Sequence, residues 1–149
     1  MIIPFNETHI EPVMISQPEL YKMNFKNIVI NEEFFEPIIE WYELALEGHL
    51  HAYVYEKEGA VIGFYLFQHQ PGIAYLMQMF VHQKWRGKRI GVELLRHFEN
   101  EAKKKNAYEL YLHASASNQK AVSFYRMFGF QPIQIEEQED ERRYLMIKN

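Results

Sequence analysis

Met79-Phe80-Val81-His82-Gln83-Lys84-Trp85-Arg86-Gly87-Lys88-Arg89-Ile90-Gly91-Val92-Glu93-Leu94-Leu95 passes from an apolar run through a basic, glycine-bearing turn into an amphipathic run. The pattern predicts a strand, a tight turn and a helix. Ile90, Leu94, Leu95, Phe98 and Ala102 recur at helical spacing and mark the face that is buried. A helix N-terminus offers unpaired backbone N–H groups and a partial positive charge, both aimed at an anion. Glycine lets the backbone come close to such an anion and adopt turns other residues resist. The turn therefore reads as a phosphate or pyrophosphate site.

Working outward, residues 50–55, 60–68 and 73–81 are rich in aromatic and β-branched side chains. They are separated by Glu58-Gly59 and Gln70-Pro71-Gly72, which predicts a three-strand antiparallel meander. Residues 108–113 form a short apolar run, hence a buried strand, and residues 131–136 and 143–147 close the chain as a hairpin. Ala121, Phe124 and Phe128 mark another helix, stopped by Gly129. Nearer the N-terminus, Thr8-His9-Ile10-Glu11 and Ser16-Gln17-Pro18-Glu19 each fit a capping box, so one or two short helices are expected within residues 8–24. Asn31 starts a further helix, with Pro37 disturbing its first turn and Gly48 ending it.

A second motif follows the phosphate-type turn: Asn118-Gln119-Lys120-Ala121-Val122-Ser123-Phe124-Tyr125-Arg126-Met127-Phe128-Gly129-Phe130. Taken in this order, the two segments resemble the acyl-CoA-dependent N-acetyltransferases of the GNAT superfamily. That family's turn reads Arg or Gln, two residues, Gly, one residue, then Gly or Ala. Arg86 fills the first position and Gly91 the last, while Arg89 stands where the central Gly is usual. The resemblance implies an α/β fold in the order β-α-α-β-β-β-α-β-α-β-β. Its sheet is mixed, mostly antiparallel, with six to seven strands, about four helices and a splayed central strand pair. It covers residues 73–130 strongly and the rest by element order, so residues 1–149 are expected to form one acetyltransferase domain.

The resemblance also assigns roles. The main chain of Met79, Phe80 and Val81 would pair with the pantetheine amides of acetyl-CoA, and Arg86, Gly87, Lys88, Arg89, Ile90 and Gly91 would hold its pyrophosphate. Asn118 would bond the cofactor, or it would serve only as a helix cap. Acetyl transfer to an amine poses two proton problems. An aliphatic amine is almost wholly protonated at pH 7, and freeing it costs roughly 4–5 kcal/mol. The departing thiolate must then collect a proton, which a phenol can supply. Tyr125 has the family's position for that acid. The base is open: the stretch Tyr75-Leu76-Met77-Gln78-Met79 carries no carboxylate, which leaves His82, His113, Glu40, Glu43 or a water chain.

Composition limits the alternatives. The chain has 149 residues, 48% apolar and 24% charged, an ordinary balance for a folded domain with a core. With no Cys there is neither a disulfide framework nor a thiolate metal site, and no metal is expected. No apolar run is long enough to span a bilayer, and Met1-Ile2-Ile3-Pro4-Phe5 lacks the pattern of a signal peptide, so a cytoplasmic location is expected. Residues 84–105 hold eight Lys/Arg and three Glu in a chain of net charge −4, which leaves −9 on the remainder. A basic segment in an acidic chain suits a small polyanion better than a nucleic acid. The acidic run Glu136-Glu137-Gln138-Glu139-Asp140-Glu141 could steer a cationic acceptor or simply be a solvated hairpin tip. The expected acceptor is a small-molecule or peptide amine, and homodimers occur in the family. The rival reading is an acyl-CoA-binding module without catalysis.

Overall fold

The centre of the sheet is set by two tight turns. The computed structural model describes residues 1–138 and 140–149, Gln138 by its backbone only. Strands β2 (His51–Lys57) and β3 (Ala60–Gln70) meet through Glu58-Gly59, with φ of +54° and +79°. Two successive positive φ values belong to the hairpin turn whose twist matches its strands. Strand β3 returns to β4 (Ile73–Val81) through Pro71-Gly72, Gly72 having φ +81°. Proline presets the first corner and glycine supplies the positive φ of the second.

Around this meander lie β1 (Ile2–Pro4), α1 (Ile10–Asn24), α2 (Glu32–Leu46), α3 (Ile90–Lys104), β5 (Glu109–Ser115), α4 (Gln119–Met127), β6 (Gln131–Gln138) and β7 (Glu141–Lys148). The strands form one seven-stranded sheet in the order β1-β2-β3-β4-β5-β7-β6. Its neighbours are antiparallel apart from β4 and β5, which run parallel. The expected fold class and element order are both observed.

Each face of the sheet has its own core. Helices α1 and α2 cover one with Val13, Ile38 and Tyr42 against Val54, Phe64, Leu66 and Phe80. Helices α3 and α4 cover the other with Ile90, Leu94, Leu95, Phe98 and Val122 against Tyr65, Phe67, Leu76 and Leu112. Each of these large apolar side chains contributes about 1.5–3 kcal/mol by leaving water. Helix α3 sits so low on β3 that a Cβ at Gly63 would lie 2.9 Å from the Phe80 carbonyl oxygen and 3.1 Å from Leu94 Cδ1.

The N-terminal caps differ from expectation. Asn6 forms the capping box: its Oδ1 accepts from the Thr8 N–H at 2.9 Å, while its own N–H donates to His9 Nδ1 at 3.0 Å. A short 3-10 turn at Glu7–His9 then leads into one continuous α1 that runs through Pro18. Ser16 is no cap; its hydroxyl donates to the Pro12 carbonyl at 3.1 Å, one turn back. Helix α2 likewise continues through Pro37 and is capped by Asn31, whose Oδ1 accepts from the Phe34 N–H.

The feature that shapes the interior is a break in pairing. Parallel pairing of β4 with β5 runs from Ile73 opposite Glu109 to Leu76 opposite Leu112 and goes no further. Beyond it β4 stays with β3, and β5 stays with β7 as far as Ser115 opposite Arg143. On the β3 side the register slips at this level: Phe67 faces Leu76 but Leu66 faces Gln78, so Met77 is the extra residue of a bulge. The bulge reverses the faces of β4. Leu76 packs with the α3 core, Met77, Gln78 and Phe80 pack with the α1–α2 core, and Met79 and Val81 return to the α3 side.

Candidate active site

A cavity of about 850 Å³ opens where β4 and β5 part, large enough for a cofactor-sized molecule. Met79, Phe80, Val81, Arg86, Gly87, Arg89, Ile90, Gly91, Asn118 and Tyr125 all line it. Of the cofactor-binding and acid residues expected from the sequence, Lys88 does not line it and is exposed.

The floor is the turn before α3. A 3-10 turn at Gln83–Trp85, capped by His82, ends the strand, and the chain then takes positive φ at Gly87 (+78°) and at Arg89 (+68°). The position usually held by glycine in the motif is thus left-handed here too, and Arg89 occupies it at an expense of about 1–2 kcal/mol. Arg89 is the N-cap residue of α3 and makes no side-chain cap. Helices α2 and α4, by contrast, have their first N–H groups covered by Asn31 and Asn118. The first turn of α3 therefore leaves its N–H groups without a side-chain cap, and Arg89, Ile90, Gly91 and Lys120 line the cavity. Gly91 faces Phe124, with 3.6 Å between a notional Cβ and that ring.

Arg86 is spent differently from a free phosphate ligand. Its Nε donates to the Val81 carbonyl at 2.9 Å, and its Nη2 reaches Glu19 of α1 at 3.1 Å. It ties the turn to the end of β4 and to the helix across the cavity. Asn118 is a cap and also a tie: Oδ1 accepts from the Ala121 N–H, while Nδ2 donates to Asn24 Oδ1 of α1, each at 3.2 Å.

Tyr125 reaches the cavity from α4, with its ring against Phe124 and Phe130. Burial alone pushes its phenol well above the ordinary value, so it is protonated throughout the neutral range. Among the candidate bases, His82, Glu40 and Glu43 lie away from the cavity and exposed, whereas His113 lines it. Gln78 is sealed: its amide exchanges hydrogen bonds with Gln17 at 2.8 and 3.0 Å, and its Oε1 accepts from the Tyr42 hydroxyl at 2.8 Å. This buried, hydrogen-bonded cluster fills the place on the strand where the sequence lacks a carboxylate.

The acidic run is not merely a solvated tip. Glu141 is 7% exposed, lines the cavity and accepts from the Lys26 backbone N–H at 3.0 Å. Glu136 meets His113 and Arg143, and Glu139 lies outside the described residues. Sequence reasoning missed Tyr75, Tyr21 and Lys120 as lining residues. Lys120 sits inside the quoted second motif, where spacing could have supplied it.

A model of the acetyltransferase (GNAT) family matches residues 16–130, most of the chain. The chain belongs to that family. Solved GNAT-type structures share its fold across nearly the whole length. The PaiA N-acetyltransferase of Thermoplasma acidophilum, crystallised with coenzyme A, is 20% identical, with 99% of this chain and 97% of that one covered and a TM-score of 0.80. The ribosomal-protein-alanine N-acetyltransferase of Brucella melitensis is 20% identical, covers 99% and 98%, and has a TM-score of 0.82. Arabidopsis thaliana Naa50, in complex with the bisubstrate analogue CoA-Ac-MVNAL, is 22% identical, covers 100% and 97%, and has a TM-score of 0.74.

Proposed function

We propose that this GNAT chain is an N-acetyltransferase that moves the acetyl group of acetyl-CoA to a primary amine by direct attack, working as one domain over residues 1–149. The observation that carries the reading is the convergence, in one cavity, of the α3 turn without a side-chain cap, the end of β4 that has left β5 and Tyr125. The CoA in the Thermoplasma structure and the CoA-linked peptide in the Arabidopsis one support it.

The residues present fit such a molecule. Backbone N–H groups of Gly87, Arg89, Ile90 and Gly91, with the Arg89 and Lys120 cations, would hold its pyrophosphate. Backbone of Met79, Phe80 and Val81, freed from β5, would take the pantetheine amides, with Asn118 alongside. Acetyl-CoA would supply an acyl carbon to which the amine nitrogen bonds as the C–S bond breaks. Tyr125, protonated at neutral pH, would hold its hydroxyl toward the sulfur that leaves, hydrogen-bond to the developing thiolate and supply the proton the thiol keeps. The acceptor is an amine of small-molecule or peptide type, and the use of acetyl-CoA supports a cytoplasmic place of work. Among the described residues no helix is long and apolar enough to cross a membrane.

Calorimetric titration of acetyl-CoA into wild type and Tyr125→Phe, followed by free-thiol release with a panel of amines, tests this. Binding in both with thiol release falling 10²–10⁴-fold in the variant is the expected result. Binding without release on any amine would favour the acyl-CoA-binding module.

A further inference from the structure

Two of the polar side chains expected to meet the cofactor, Arg86 and Asn118, already have partners on one helix. Arg86 Nη2 lies 3.1 Å from Glu19 Oε2 and 3.3 Å from Met23 Sδ, both on α1, while its Nε stays on the Val81 carbonyl. Asn118 Nδ2 donates to Asn24 Oδ1 at 3.2 Å. Asn24 is held ready for this by its own Nδ2, which donates to the Leu20 carbonyl at 3.0 Å. Glu19 and Met23 stand four residues apart, as do Leu20 and Asn24, so neighbouring stripes of one helical surface make both ties. The last turns of α1 therefore bridge the cavity from the turn before α3 to the start of α4.

Both ties are of a kind that exchanges readily. The Glu19 and Arg86 side chains are 41% and 36% exposed, and an ion pair in that setting contributes little to stability. A guanidinium prefers a phosphate that offers more negative charge and several acceptor oxygens to a single solvated carboxylate oxygen. A third tie, from the Lys26 N–H to Glu141 Oε1, uses no residue of either motif.

We propose that Glu19 and Asn24 are internal competitors of the cofactor, so that α1 sets how tightly acetyl-CoA is held. This rests on the acetyltransferase reading. Acetyl-CoA would take the Arg86 guanidinium from Glu19 and the Asn118 amide from Asn24, and as CoA leaves, both side chains return to α1. No covalent bond or proton changes hands in the exchange. Glu19 and Asn24 are positioning residues that act through Arg86 and Asn118. Lys26 keeps its bond to Glu141 throughout, so the end of α1 stays attached while the two ties open. The same stretch carries Leu20, Tyr21 and Phe25 on the cavity wall, which links the grip on the cofactor to the shape of that wall.

Calorimetric titration of acetyl-CoA into the full chain tests the competition, with wild type, Glu19→Gln, Asn24→Ala and Glu11→Gln compared at one ionic strength. Removing a competitor should tighten binding, by about 2–5-fold in Glu19→Gln and again in Asn24→Ala. A tie that only braced the helix would give the opposite sign or no change. Asn24→Ala alters no charge, so its gain has no electrostatic origin. Glu11→Gln makes the same charge change at the far end of α1 and should bind as wild type does. Unchanged or weaker binding in Glu19→Gln or in Asn24→Ala overturns the competition. An equal gain in Glu11→Gln overturns it as well, because the Glu19 effect is then long-range charge. A wild-type protein that binds no acetyl-CoA overturns the acetyltransferase reading itself, which a failure confined to the variants would leave standing.

Discussion

Replacing Arg89 separates the backbone geometry of the phosphate turn from its charge. The residue holds φ +68° and ψ +12° and makes no cap with its side chain. A left-handed conformation costs a side-chain-bearing residue about 1–2 kcal/mol. Arg89→Gly removes that strain but adds flexibility to the unfolded chain, which offsets about 0.5–1 kcal/mol. The net is a gain of roughly 0.5–1 kcal/mol, or about 1–4 °C in Tm for a chain of this length. Arg89→Ala keeps the strain and loses the guanidinium, so its Tm should stay near wild type. Both variants lose the cation, and both should bind acetyl-CoA about 3–10-fold more weakly, with a shallower dependence on salt. Differential scanning fluorimetry without ligand and calorimetry at two ionic strengths provide the numbers. A lower Tm for Arg89→Gly than for Arg89→Ala would refute the strain. Unchanged affinity in both would remove Arg89 from the phosphate site.

Two further outcomes follow from packing and charge. Gly63→Ala puts a Cβ against the Phe80 carbonyl, a backbone atom that cannot rotate away, and should destabilise the fold by about 1–3 kcal/mol in urea unfolding. His51, His97 and His113 are each held below the ordinary imidazole value, burial first among the causes. The unfolded chain then binds more protons than the folded one, so stability should fall as pH drops below about 6.5. Glu101, held below the ordinary carboxylate value chiefly by Lys104, adds to the loss only in the carboxylate range. Urea midpoints between pH 7.5 and 5.5 that stay level would contradict the histidine shifts.

Most of the fold is legible in the sequence because its signals are local. Glu58-Gly59 and Pro71-Gly72 specify their turns by themselves, and the α3 stripe from Ile90 to Ala102 announces its buried face. The turn before α3 and the place of Tyr125 in the cavity are legible for the same reason: each lies in a continuous segment. What escapes is assembled from distant parts. Tyr75 and His113 are 38 residues apart, and the Gln17–Gln78 amide pair spans 61. No spacing rule links such pairs. The caps at Thr8 and Ser16 fail for a different reason, since several short polar residues compete to end a helix there and Asn6 wins by reaching two groups.

The bulge at Met77 sets which side chains of β4 face each layer of helices. Before it, Ala74 and Leu76 point to the α3 side and Tyr75 to the opposite side; after it, Gln78 and Phe80 take the α1–α2 side. Tyr75, His113 and Arg143 therefore stand on one face of the sheet, while Tyr125 packs with the α3 core on the other. The two faces communicate where pairing of β4 and β5 stops after Leu76 and Leu112. A thioester held along the freed end of β4 would present its carbonyl in that slot, with an amine approaching from one face and a proton donor waiting at the sulfur from the other.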